Sequence, residues 1–104
     1  MTNCPPLEPF ELELVRLVLR QHPEIESATL FASRARGTHT SRSDVDLALA
    51  GPLGALGAAA IAAELEEPPL PYRFDVHALA AISHAPLLEY IEWVGQVIYP
   101  ETAR

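Results

Sequence analysis

Residues 44–50, DVDLALA, constrain the fold more than any other stretch of the chain. Val45, Leu47 and Leu49 alternate with Asp44, Asp46 and Ala48, and Gly51-Pro52 stops the run. Successive side chains of a strand point to opposite faces. The pattern therefore predicts a β-strand with one apolar face and one face bearing carboxylates. The apolar face must be covered, and three segments have the periodicity of covering helices. Residues 8–22 place Pro9 in a first turn, Glu8, Glu11 and Glu13 early, and Arg16 and Arg20 late, which complements the helix dipole. Phe10, Leu14, Leu17 and Val18 are its expected buried face, and Pro23 stops it. Residues 54–67 read as an Ala-rich helix. Residues 84–94 read as a third, with Ser83 as a cap and Gly95 as a stop. Leu87, Leu88, Ile91 and Val94 are expected to turn inward there, with Trp93 in the core.

Two further strands are predicted, residues 25–32 and 72–79. In the second, Phe74, Val76 and Ala78 make one face and Arg73, Asp75 and His77 the other. QVIYP, residues 96–100, adds either a short strand or an exposed apolar tail, with Tyr99 open between core and partner surface. The element order is α-β-β-α-β-α. The expected fold class is α/β (α+β), a small mixed sheet with helices packed on it. PPLP at 68–71 is a stiff connection, so residues 1–104 are expected to form a single domain. Residues 1–7 are expected to be mobile and residues 100–104 to be a tail.

The three aspartates, Asp44, Asp46 and Asp75, all fall on or beside predicted strands, although glutamate outnumbers aspartate eleven to three. Aspartate is disfavoured inside strands, so Asp46 and Asp75 ask for a reason. Asp44 reads equally well as a turn residue bonding its own backbone. Asp44 and Asp46 share a strand face, with Cα atoms roughly 6–7 Å apart. If Asp75 lies on a neighbouring strand, three carboxylates meet. Without a cation they repel and raise one another's pKa. With two divalent ions they can clamp the oxygens of a phosphoryl displacement, and Mg²⁺ is the cation that favours such oxygen ligands.

The loop before them, SRARGTHTSRS, carries Arg34, Arg36 and Arg42 and no acid. A strand turning into a short helix at Ser33 offers a hydroxyl and free backbone N–H groups to an anion. Arginine matches phosphate bidentately, and Gly37 allows a positive φ or close backbone approach. The net charge of −7 argues against generic nucleic-acid binding, but a local basic loop can still hold one nucleotide. Of the histidines, His39 and His77 lie near this region and read as surface or hydrogen-bonding residues. His22 and His84 read as ordinary helix-end residues. The one cysteine, Cys4, offers neither a disulfide framework nor a zinc pattern. No secretory signal or membrane span is visible, so a soluble cytoplasmic protein is expected.

Ser33, ten residues, Asp44-Val45-Asp46 and a later Asp75 together resemble the nucleotidyltransferase superfamily of DNA polymerase beta. SRARGTHTSRSDVDLAL is especially similar to the minimal nucleotidyltransferases (MNT), the antitoxin halves of HEPN/MNT toxin–antitoxin pairs. The resemblance covers essentially the whole chain. It implies that Asp44, Asp46 and Asp75 are catalytic and metal-binding, holding two Mg²⁺ ions. It also implies that Ser33 and its turn hold the triphosphate of ATP, with Arg34 helping; Arg36, Gly37 and Arg42 join that binding set. The implied reaction transfers AMP to a hydroxyl, a tyrosine of a partner HEPN toxin. One residue departs from the pattern: Ala32 stands where the family usually has glycine before the serine. The alternative implied by that departure is an MNT-fold binding module that neutralises its partner by complex formation alone. Homo-oligomerisation is left open.

Overall fold

The computed structural model describes residues 7–37, 40, 44–67, 70 and 72–100. The expected order is present with two additions. Helix α1 spans Pro9–Arg20, strand β1 Ser27–Phe31, short helix α2 Ser33–Arg36 and strand β2 Val45–Ala50. Helix α3 spans Ala55–Leu65 and strand β3 Phe74–Ala78. A 3₁₀ turn at Leu79–Ala81 leads to helix α4, Ala85–Val94, and strand β4, Gln96–Tyr99. The additions are α2 and β4; QVIYP is thus a strand rather than a tail.

The four strands form one mixed sheet in the order β3-β2-β1-β4. β1 pairs antiparallel with both β2 and β4, and β2 pairs parallel with β3. A parallel pair needs a crossover of a dozen residues or more, which α3 supplies. Gly51 closes β2 at φ 136°, and a Cβ there would collide with the Glu24 carbonyl oxygen. Glycine is thus what lets the chain pass so close to the start of β1.

The alternation in β2 appears as predicted. Val45, Leu47 and Leu49 are fully buried. They pack with Leu30, Phe74 and Ile98 from the other strands and with Val15, Leu19, Ile61 and Leu65 from α1 and α3. Each such leucine contributes about 1.5–3 kcal/mol by leaving water. The opposite face of the sheet is covered only in part. Phe31, Ala48 and Ile91 form a smaller buried cluster there, with Leu79, Ile82, Leu87, Tyr90 and Val94 around it. The uncovered remainder of that face carries the carboxylates.

Three burial expectations need correction. In α1, Phe10 and Leu17 are exposed, and the buried stripe is instead Glu11, Val15 and Leu19. A buried glutamate is tolerated because both its oxygens are engaged. Glu11 Oε1 accepts the Glu8 N–H at 2.9 Å and Oε2 accepts the Tyr72 hydroxyl at 2.8 Å. With Glu11 inward, the helix turns Phe10 and Leu17 out. Trp93 is 87% exposed rather than in the core. Ile91 faces the sheet, and two residues further on a helix is about 200° around the axis. Leu7, part of the start expected to be mobile, is buried in the main core. The rest of that start, residues 1–6, lies outside the described residues, as do residues 101–104 of the expected tail.

His22 is also more than an ordinary helix-end residue. Its Nε2 lies 2.7 Å from Glu64 Oε1 and its Nδ1 3.5 Å from Glu24 Oε2, which ties the end of α1 to α3. The hydrogen bond to Glu64 is the main cause that holds its pKa above the usual histidine value.

Candidate active site

β2 and β3 run side by side with Asp46 directly opposite Asp75. Neighbouring strands lie about 4.8 Å apart. The two carboxylates therefore stand as a cross-strand pair on the face that α4 leaves open. Phe31 of β1 is opposite Asp46 on its other side, so Phe31, Asp46 and Asp75 form one row across three strands. Asp44 immediately precedes β2 and is exposed.

The electrostatics of this row are unfavourable as they stand. Asp46 is half-buried, and its carboxyl is pushed up to about 6. Burial is the largest cause, followed by the negative charges of Asp75 and Asp44 and a hydrogen bond with Asp75; His77 opposes them. Burial is thus the main penalty on the Asp46 charge, and repulsion from the neighbouring aspartates adds to it. Among the described residues, no three His, Cys, Asp or Glu side chains are gathered tightly enough to hold a metal ion. The register makes the aspartates neighbours without drawing their carboxylates to a common point. The donor set nevertheless fits a hard divalent cation. It is all oxygen, and one member is a carboxyl that burial and like charges drive toward protonation.

The proposed phosphate loop begins where expected. β1 ends at Phe31, Ala32 turns the chain, and α2 starts at Ser33 with Arg34 next. The turn is tight: the Arg36 N–H donates to the Ala32 carbonyl at 3.0 Å. Ala32 has φ 66°, the left-handed region that favours glycine. The conformation that makes glycine suitable is therefore retained by an alanine. Gly37 closes α2 at φ 79°, with open space where a Cβ would be. Arg36 is exposed. Gln96 of β4 fastens α2 to the sheet edge by donating from its side-chain amide to the Ala35 carbonyl at 2.9 Å. Arg42, His39 and Ser43 lie outside the described residues.

His77, expected as a surface or hydrogen-bonding residue, lies beside the carboxylates. His77 Nε2 lies 3.4 Å from Asp75 Oδ2. Its ring rests against Phe31, with centroids 5.7 Å apart and planes at 59°. The two-residue spacing from Asp75 puts both side chains on one strand face, as the alternation of residues 72–79 predicts.

A parallel pair of strands carrying in-register aspartates, preceded by a strand-turn-helix, defines a nucleotidyltransferase type of fold. The model of the polymerase beta nucleotidyltransferase family matches residues 13–103, and the chain belongs to that family. Comparison with curated proteins finds no match. Among solved structures, the chain is similar to a toxin–antitoxin crystallised with AMP-PNP, at TM-score 0.73 and 23% identity, covering 85% of this chain and 72% of that one. It is also similar to a chain of the tri-AMPylated Shewanella oneidensis HEPN toxin in complex with MNT antitoxin, at TM-score 0.71 and 18% identity, covering 92% and 75%. A putative nucleotidyltransferase from Sulfolobus solfataricus follows at TM-score 0.57 and 16% identity, covering 88% and 78%. At these identities the likeness is one of fold. Among the described residues, no helix is long and apolar enough to cross a membrane.

Proposed function

We propose that this protein is a Mg²⁺-dependent nucleotidyltransferase that moves AMP from ATP to a hydroxyl of a partner protein. In this reading the partner is a HEPN-type toxin in the cytoplasm, the acceptor is a tyrosine, and the chain is the antitoxin. The observation that carries the reading is the Asp46–Asp75 register. It sets two carboxylates side by side on an open sheet face, one strand away from the turn into α2. Family membership and the fold shared with toxin–antitoxin proteins, one crystallised with AMP-PNP and one with an AMPylated toxin, support it.

The roles follow from chemistry. Asp44, Asp46 and Asp75 would hold the cations, and bound Mg²⁺ would supply charge neutralisation for the triphosphate and for the carboxylates themselves. Ser33, Arg34, Arg36, Gly37 and Arg42 would bind the phosphates through hydroxyl, guanidinium and backbone donors. The acceptor oxygen attacks the α-phosphorus, the bond to the β-phosphate oxygen breaks, and pyrophosphate leaves. Asp75, the exposed member of the pair, takes the acceptor proton.

A second reading is favoured by Ala32. Its methyl group occupies the turn where glycine would leave the backbone bare to the phosphates. On that reading the protein binds its toxin and transfers nothing. The test uses ATP labelled at the α-phosphate, Mg²⁺ and a HEPN-type toxin as the acceptor. Transfer of label by the native protein, and its loss by at least about 100-fold in D44A and D46A proteins that still fold, supports the enzyme. Undiminished labelling by either variant removes these residues from catalysis. Neutralisation without any labelling selects the binding module.

A further inference from the structure

His77 stands two residues beyond Asp75 on the same face of β3. The register sets it opposite Ala48, in the row next to Phe31, Asp46 and Asp75. Ala48 is fully buried and presents only a methyl group. The rings of His77 and Phe31 meet past it, 5.7 Å apart at the centroids. Phe31 is itself 4% exposed and packed in the smaller core cluster. The imidazole is thus steadied by a fixed residue on one side, and on the other its Nε2 reaches Asp75 Oδ2 at 3.4 Å. Asp75 needs such a restraint: its side chain is 60% exposed on an edge strand.

We propose that His77 is a positioning residue for Asp75. Donating from Nε2, it selects one rotamer of the Asp75 side chain and keeps that carboxylate beside Asp46. Phe31, which steadies the ring, leads directly into the Ala32 turn. The contact therefore links the carboxylate pair to the phosphate-binding end of β1. The inference rests on the transferase reading, in which Asp75 takes the acceptor proton. An unrestrained χ1 has three staggered wells, so releasing Asp75 dilutes the competent rotamer about threefold, and the lost contact adds to that.

Three variants separate positioning from packing. H77F keeps a ring against Phe31 without a donor, H77Q keeps an amide donor near the position of Nε2, and H77A has neither. In the transfer assay above, H77A and H77F are expected to lower kcat about three- to tenfold with KM for ATP unchanged. H77Q is expected to stay within about twofold of the native protein, the amide being a substitute donor. The second readout is the set of three-bond couplings that report Asp75 χ1, measured by NMR on protein free of metal and nucleotide. One rotamer is expected in the native protein and H77Q, and averaging in H77A and H77F. A single Asp75 rotamer retained in H77F, native activity in H77F, or H77Q as impaired as H77F overturns the proposal. The NMR readout needs no turnover, so it decides the positioning even if no transfer is found. Absence of transfer by the native protein instead counts against the transferase reading.

Discussion

Ala32 gives the most direct test of how the turn into α2 is held. At φ 66° an L-residue with a Cβ is strained by about 1–2 kcal/mol. Replacing it with glycine removes that strain. Two losses oppose the gain. Glycine has more freedom in the unfolded chain, which takes back about 0.4–1 kcal/mol. The methyl group is half-buried against the cluster under α4, and its removal loses about 0.4 kcal/mol, half of a buried CH₂. With mid-range values the balance is a gain of about 0.4 kcal/mol, or a Tm rise of about 2 °C for a domain of this size. The sign matters more than the size. Ala60 is the control, exposed in the interior of α3, where the same substitution should cost about 1 kcal/mol and lower Tm by about 5 °C. Thermal unfolding of A32G and A60G, followed by circular dichroism, should therefore show shifts of opposite sign. A32G destabilised as much as A60G would refute the left-handed turn. The transferase reading adds that A32G labels the acceptor at least as fast as the native protein, because the motif glycine is restored.

Two pH-dependent predictions follow from the charged groups. Asp46 has its folded pKa raised to about 6. A raised acid is most favourable to folding below its unfolded value near 3.8 and loses that contribution as pH rises through about 6. In EDTA, D46N should therefore match the native protein in Tm near pH 3.5 and exceed it above pH 6; an advantage independent of pH would refute the penalty assigned to a buried charge at this position. His22 is raised as well, chiefly by its hydrogen bond to Glu64 and further by Glu24. Its stabilising contribution is complete below its unfolded value near 6.5 and is lost as pH climbs through the raised folded value. The native protein should accordingly outlast E64Q in thermal melts below pH 6, with the gap closing above neutrality; a gap that widens with pH would refute it.

The parts of the fold legible in the sequence are those that follow from local periodicity. DVDLALA alternates strictly, so its two faces could be assigned without knowing their neighbours. The misassigned residues depend on contacts distant in sequence. The burial of Glu11 relies on Tyr72, 61 residues away, which donates to its second oxygen. The apolar residues of α1 do not reveal that partner, so Phe10 and Leu17 were placed inward. Trp93 fails for a related reason: hydrophobicity marks it as core material, but the sheet needs only the stripe centred on Ile91. The aspartates show both sides at once. Their residue type and strand positions were legible. The alignment of Asp46 with Asp75 was not, because the register of a parallel pair depends on how the α3 crossover packs.

That alignment also bears on the choice between enzyme and binding module. Asp46 is half-buried, and burial together with the charges of Asp75 and Asp44 makes its ionised form unfavourable in the folded chain. A protein that only docks on a partner gains nothing from that charge. Asparagine would fit the same space and donate to Asp75 without repulsion. The carboxylate becomes favourable only when a cation shares the site, which supports the transferase reading. The same substitution then distinguishes the two. If the protein acts by complex formation alone, D46N should be stabilised above pH 6 and neutralise the toxin as well as the native chain. If it acts by transfer, D46N should be the more stable protein and yet leave the toxin active and unlabelled. Stability rises in both cases, and neutralisation is kept in the first and lost in the second.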